Sequence, residues 1–240
     1  MDNDSRKKIG LNMLLEVDKI LTKHNVWYSL SYGSALGAYR EHGFIPWDLD
    51  IDILINIEEQ ENVRNLLRDE LPSSFNVIGC DIETVSSYDM VVAKGIYEGD
   101  MHIDIYPLIG GPNSIEDGHK YQLKCRYVHK FAKLKYADWR RIQKKWKLPF
   151  VFIIKFIENI IPDNVIRKYI KYLGTKYDFK KSKYIFPFAN DGKPGEYMEK
   201  NMLTETMRVP FDNLVVPIPA NIDYYLSRIY GKDYMTPVKY

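Results

Sequence analysis

The sequence predicts an α+β fold: a mixed sheet flanked by helices, with a helical appendage. Three observations carry this. Two short runs, Pro46–Ile53 and His102–Pro107, alternate acidic and apolar residues with the period of a strand. Stretches near both ends, Ser5–His24 and Ile222–Ile229, repeat apolar residues at helical spacing. The 240 residues are 45% hydrophobic, enough for the core of one large domain or of one domain with an appendage.

In chain order, Ile9, Met13, Val17, Ile20 and Leu21 mark the first helix, and Asn25 stops it. Val26–Leu30 is short and β-prone and forms the first strand. Gly33-Ser34 punctuates the chain, and Ala35–Glu41 forms one or two helical turns with Ser34 near the cap. Gly43–Pro46 is extended, because a residue before proline disfavours the helical region. The acidic strand then runs through Ile57. Glu58–Asp69 is a helix with Val63, Leu66 and Leu67 as its apolar face. Phe75–Ile78, Met90–Ala93 and His102–Leu108 are strands, with Gly99-Asp100 as a hairpin turn before the last. Gly110–Gly118 is a loop, and His119–Lys145 is a basic helical region. Trp146–Ile161 is densely apolar, and Val165–Leu173 is apolar on one side and basic on the other. The pair reads as a helical hairpin closing over the sheet, or as an interfacial segment with rings in the lipid headgroups; the two readings are compatible. From Tyr184 the chain is turn-rich, with short strands paired around Asn213 between Arg208 and Pro219. Residues 1–118 thus form a core, 119–183 a helical and possible membrane-apposed region, and 184–240 a segment completing the same domain.

Composition narrows the function. A net charge of +2 makes no electrostatic case for a nucleic-acid partner. Two cysteines at no metal or disulfide spacing fit a reducing cytosol. The polar start after Met1 predicts no signal peptide, and no run of 18 apolar residues predicts a spanning helix. The location expected is cytoplasmic, or peripheral at the cytoplasmic face of a membrane.

Four pieces carry chemistry. Asp48, Asp50 and Asp52 project from one face of an extended strand while Leu49, Ile51 and Ile53 face the other way. Their mutual repulsion is relieved by a hard divalent cation, which takes carboxylate and phosphate oxygens together. Asp104 alternates with Ile103 and Ile105, and joins the cluster if the two strands are neighbours. Gly33-Ser34 after a strand lets backbone and hydroxyl approach a phosphate. Arg40 and His42 form a basic pair suited to a diphosphate. A strand, a Gly-Ser turn, a short helix, an Asp-x-Asp strand and a third carboxylate on a later strand is the order of the nucleotidyltransferase superfamily.

The stretch Tyr32–Ile53 further resembles the LicD family of bacterial phosphocholine transferases and is similar to the fukutin-type sugar-phosphate transferases. The resemblance extends to His102–Pro107, to Pro217–Pro219 and to the tail Tyr230–Met235. The family often has an acid where this chain has Leu49, a position facing away from the carboxylate row. The resemblance implies a nucleotidyltransferase-like sheet and transfer of phosphocholine from CDP-choline to a hydroxyl of a lipid-linked teichoic acid, capsule or lipopolysaccharide glycan, with release of CMP. CDP-glycerol and CDP-ribitol are the other donors it allows. It implies Mg²⁺ or Mn²⁺ held by Asp50, Asp52, Asp104 and, in support, Asp48. Asp104 would also accept the proton of the acceptor. Gly33, Ser34 and Arg40 would bind the donor's phosphates, and Trp47 the substrate. A true nucleotidyltransferase acting on a nucleoside triphosphate is the competing enzyme class, and a non-catalytic membrane-associated binding protein the competing non-enzyme.

Overall fold

The site is positioned by two parallel neighbours, β2 (Asp50–Asn56) and β5 (His102–Gly110). Their register sets Ile51 beside Ile103, Asp52 beside Asp104 and Ile53 beside Ile105. In this computed structural model, residues 2–79, 88–94, 101–136, 149, 152–153, 156, 160–189 and 192–237 are described. Among them the sheet runs β1 (Tyr28–Leu30), β2, β5, β4 (Asp89–Ala93), β3 (Phe75–Ile78). All pairings are antiparallel except β2 with β5. The far end of β5 is extended by β6 (Tyr184–Pro187), which pairs in turn with β7 (Met198–Glu199).

Ile51, Ile53 and Ile55 of β2 and Ile103 and Ile105 of β5 are fully buried in one cluster with α1 (Asn3–Lys23), which contributes Met13, Leu14, Val17, Ile20 and Leu21. Asp2 caps α1, its carboxylate accepting from Ser5 N at 2.8 Å. Beside it, α3 (Gln60–Glu70) buries Val63 and Leu67. The hairpin β8 (Thr206–Phe211) and β9 (Leu214–Pro219) turns at Asp212, whose φ of 52° falls in the left-handed region. A second cluster lies under α4 (Ile115–Tyr136) and α5 (Asp163–Thr175), where Tyr121, Cys125, Ile166, Ile170 and Leu173 meet Ile109, Phe186 and Tyr197. The chain closes with α6 (Lys200–Thr204) and α7 (Ile222–Tyr230).

Several expectations shift. The acidic strand begins at Asp50, not before it: Pro46-Trp47 is a turn closed by Asp48 N donating to Ile45 O at 3.0 Å. The helix after β1 is α2 (Tyr32–Arg40), capped by extended Ser31, so Ser34 lies inside its first turn and is not the cap. The loop expected to Gly118 ends early, because Ser114 Oγ accepts from Asp117 N at 3.3 Å and starts α4. Tyr184–Glu199 is not only turns, since it adds β6 and β7 to the sheet. The Gly99-Asp100 turn and most of Trp146–Ile161 lie outside the described residues.

One buried ion pair ties α3 to β4. Arg64 donates to Asp89 at 2.6 and 3.2 Å, Gln60 donates to the same carboxylate at 2.9 Å, and Asp89 is 1% exposed. Arg64→Ala strands that charge, so a loss of about 3–5 kcal/mol is expected in denaturant unfolding.

Candidate active site

Two serines fasten the start of α2 onto β2. Ser31 N donates to Asp52 O at 2.9 Å, and Asp52 N donates to the buried Ser34 Oγ at 2.9 Å. The first turn of α2 therefore stands beside Asp52. Tyr32 enters this turn at φ 45°, a conformation uncommon for a side-chain-bearing residue. Its N–H donates to Tyr225 at 2.9 Å and its hydroxyl to buried Glu196 at 3.1 Å, which hold it there.

Two glycines let the segment after α2 fold back against it. A Cβ on Gly37 would lie 2.5 Å from Gly43 O, and one on Gly33 would lie 2.4 Å from Asp48 Oδ2. The return places Asp48 against the helix and in hydrogen-bonding contact with Asp50. Asp48 thus joins the row through a turn, not through strand alternation. Gly33→Ala displaces only the tip of that short side chain. Its stability is expected to stay within about 1 kcal/mol of the parent, while the carboxylate is pushed from Asp50; an activity loss with an unchanged melting curve would show it.

The cluster is electrostatically loaded. Burial, the hydrogen bond that the protonated Asp48 carboxyl donates to Asp50, and repulsion from the Asp50 carboxylate push Asp48 up to about 7. Burial, then repulsion from Asp50, Asp104 and Asp48, push Asp52 well above the usual carboxylate range. Tyr106 O–H donates to Asp104 Oδ2 at 2.8 Å; burial first, then the charges of Asp104 and Asp52, push that phenol far up, so it stays a donor. Asp104 Oδ1 is buried without a hydrogen bond, 3.7 Å from His102 Nε2.

The structure brings Asp48, Asp50, Asp52, Asp104, Gly33 and Ser34 together. Arg40 does not reach the aspartates: its Nε pairs with Glu41 at 2.7 Å and it donates to Tyr234 O at 3.1 Å. Arg40 and Trp47 instead line a side cavity of about 230 Å³ that includes Gly33 and Asp48. His42 is a turn residue at φ 55° whose carbonyl accepts from Asp212 N at 2.6 Å. Sequence reasoning missed Tyr106, whose place two residues after Asp104 on a strand put it on the same face. It gave no site role to Tyr230, Asp233 and Tyr234, which line the side cavity although the tail Tyr230–Met235 is part of the resemblance.

The donor set is all hard oxygen, and one buried carboxylate oxygen lacks a partner. This chemistry fits a divalent cation. Among the described residues, however, no three His, Cys, Asp or Glu side chains already form a metal shell.

A mixed sheet carrying an Asp-x-Asp strand beside a third carboxylate, under a Gly-Ser helix start, defines a nucleotidyltransferase fold. Residues 25–125 match the family described as LicD/FKTN/FKRP, nucleotidyltransferase domain. The chain is similar to the lipopolysaccharide cholinephosphotransferase LicD of Haemophilus influenzae, at 24% identity over 252 residues, covering 95% of this chain and 89% of that protein. It is similar to the human ribitol 5-phosphate transferase FKRP at 32% identity over 88 residues, covering 37% of this chain and 18% of that protein. An uncharacterized protein of Rickettsia prowazekii, RP689, is 36% identical over 63 residues, which are 26% of this chain and 24% of that protein.

Proposed function

We propose that the protein transfers a substituted phosphate from a cytidine diphosphate alcohol to a sugar hydroxyl of a cell-surface glycan, releasing CMP. Phosphocholine is the leading group, because the relative matched over nearly the whole chain is a cholinephosphotransferase. Glycerol phosphate and ribitol phosphate are the alternatives. The observation that carries the reading is the register pairing of Asp52 with Asp104, which sets a third carboxylate beside the Asp50/Asp52 pair.

The acceptor oxygen attacks the distal phosphorus, its proton passes to Asp104, and the bond to the CMP phosphate breaks. Tyr106 holds Asp104 by Oδ2, which leaves Oδ1 for the acceptor. The first-turn amides of Gly33 and Ser34 suit a phosphate oxygen at the positive end of α2. Asp50 and Asp52, with Asp48, would hold Mg²⁺ or Mn²⁺, which supplies charge neutralisation at the phosphates when bound. Arg40 and Trp47 act from the side cavity.

The test is CMP release from CDP-choline, CDP-glycerol and CDP-ribitol in turn with Mg²⁺ and candidate glycans, alongside calorimetric binding of each donor and of CTP and ATP. Binding of a CDP-alcohol with CMP release supports the reading. Binding of a triphosphate alone, with diphosphate release, replaces it with the nucleotidyltransferase.

The acceptor reading includes a lipid-linked glycan at the cytoplasmic face of a membrane. Among the described residues no helix is long and apolar enough to cross a membrane. Phe152, Ile153, Phe156 and Ile160 are helical and exposed, and α5 exposes Val165, Tyr169 and Tyr172 on the side away from buried Ile166, Ile170 and Leu173. Arg167, Lys168 and Lys171 share that helix. Such a face suits peripheral contact with anionic lipid. Sedimentation with anionic vesicles but not neutral ones is expected, and Phe156→Asp should lower the bound fraction about 10-fold or more.

A further inference from the structure

We propose that Tyr225 and Glu196 are positioning residues: through Tyr32 they hold the start of α2 uncapped, so that a phosphate of the donor, and not the Ser31 hydroxyl, takes the amides of Gly33 and Ser34. This rests on the CDP-alcohol reading and adds what keeps its phosphate site open.

Ser31 stands where a helix cap belongs. A serine there, in extended backbone, ordinarily accepts from the second or third amide of the helix. Ser31 is extended, at φ −140° and ψ 174°, and the second and third residues of α2 are Gly33 and Ser34. Yet Ser31 makes no side-chain cap bond, and its fully buried hydroxyl has no hydrogen-bond partner. The reason lies one residue on. A capped helix takes helical φ, about −60°, from its first residue, whereas Tyr32 is at 45°. That turn parts the amides from the hydroxyl that would cap them.

A bulky residue keeps such a φ only where its surroundings fix it. Two tethers do so here. The Tyr32 N–H donates to the hydroxyl of buried Tyr225 at 2.9 Å, and the Tyr32 hydroxyl donates to buried Glu196 at 3.1 Å. Glu196 is itself set by Gln122 of α4, which donates to it at 3.1 Å, and by Lys193 N of its own turn, at 3.2 Å. Both tethers are built on α7. That helix carries Tyr225, and its Arg228 donates to Pro194 O at 2.9 Å and to Tyr197 O at 3.3 Å, on either side of Glu196. A Cβ on Gly195 would lie 1.9 Å from Arg228 O, so the turn that bears Glu196 packs directly on the helix. An unbonded buried hydroxyl and a left-handed tyrosine both cost stability. What they leave is a helix end whose amides and dipole are open to an anionic oxygen.

The test uses the full chain, the parent and the variants Tyr225→Phe and Tyr32→Phe, each with and without Ser31→Ala. Melting curves are read without ligand, and CDP-choline, CDP-ribitol and CTP are titrated calorimetrically in Mg²⁺. Loss of a tether lets Tyr32 relax to helical φ and Ser31 cap the helix. Ser31→Ala is therefore expected to leave the parent's melting temperature unchanged or higher, and to lower it in either tether variant. Each tether variant should bind CDP-choline about 3- to 30-fold more weakly, the worth of one helix cap. Adding Ser31→Ala should recover most of that affinity, which a tyrosine that only filled space would not allow. If Ser31→Ala lowered the melting temperature equally in all three backgrounds, or recovered no affinity, the proposal would fall. If the parent bound CTP and no CDP-alcohol, the CDP-alcohol reading would fall alone, and the same recovery measured with CTP would uphold the tethers.

Discussion

Asp104→Asn is expected to lower phosphoalcohol transfer by about 10²–10⁴-fold, the range typical of losing a positioned general base. The amide occupies the same volume on β5 and leaves Tyr106 a carbonyl to donate to, so the melting curve should stay close to the parent. What disappears is a proton acceptor on Oδ1, the buried oxygen that has no hydrogen-bond partner. Tyr106→Phe separates orientation from acceptance. It removes the 2.8 Å bond to Oδ2 but leaves a carboxylate, so its loss should be about 10-fold, the worth of one hydrogen bond to a charged group. Steady-state rates for parent, single variants and double variant decide the matter. If Asp104→Asn retained more than a tenth of parental activity, Asp104 would not be the base. If the double variant were no worse than Asp104→Asn alone, Tyr106 would act through Asp104, as the geometry requires.

The parts of this site that were legible in the sequence are those governed by local periodicity. Asp50, Asp52 and Asp104 alternate with isoleucines, and a period of two fixes their face whatever surrounds them. That their strands are neighbours was an added supposition, made good by the parallel register of β2 and β5. Strand periodicity ends short of Asp48. Its spacing fits the strand, yet Pro46-Trp47 takes a turn, and the residue reaches the row because Gly33 and Gly37 leave room for the returning chain. Ser34 has a packing task that no motif announces, accepting from the backbone of Asp52. The start of α4 was legible but unread: Ser114-Ile-Glu-Asp117 has the spacing of a helix-capping box. β6 and β7 were not legible, since strands of four and two residues show no usable alternation. The side cavity could not be read at all, because Trp47 and Tyr230–Tyr234 meet only through the tertiary fold.

Asp48→Asn is expected to make the protein more stable at pH 8 while weakening its function. The Asp48 carboxyl sits at about 7 in the folded protein against 3.8 as its ordinary value, so between those limits the folded state holds a proton that the unfolded chain has lost. Stability therefore falls as pH rises through this window, the opposite of a salt-bridged carboxylate. Asp52, pushed up by burial and its three acidic neighbours, acts in the same direction. The asparagine removes one charge of the cluster and should add about 1–2 kcal/mol at pH 8, a value reduced for the partial solvation of Asp48 and for the proton it shares with Asp50. For a chain of this size that is about 2–8 °C in melting temperature. At pH 4, where the parent carboxyl is itself protonated in the fold, the difference should nearly vanish. A divalent cation that the cluster holds would narrow the gap at pH 8 by stabilising the parent more than the variant. Melting curves at pH 4 and 8, with and without Mg²⁺, measure all of this. A variant less stable than the parent at pH 8 without metal would mean that the acidic row is relieved within the protein, and that its repulsion is not what a bound cation would offset.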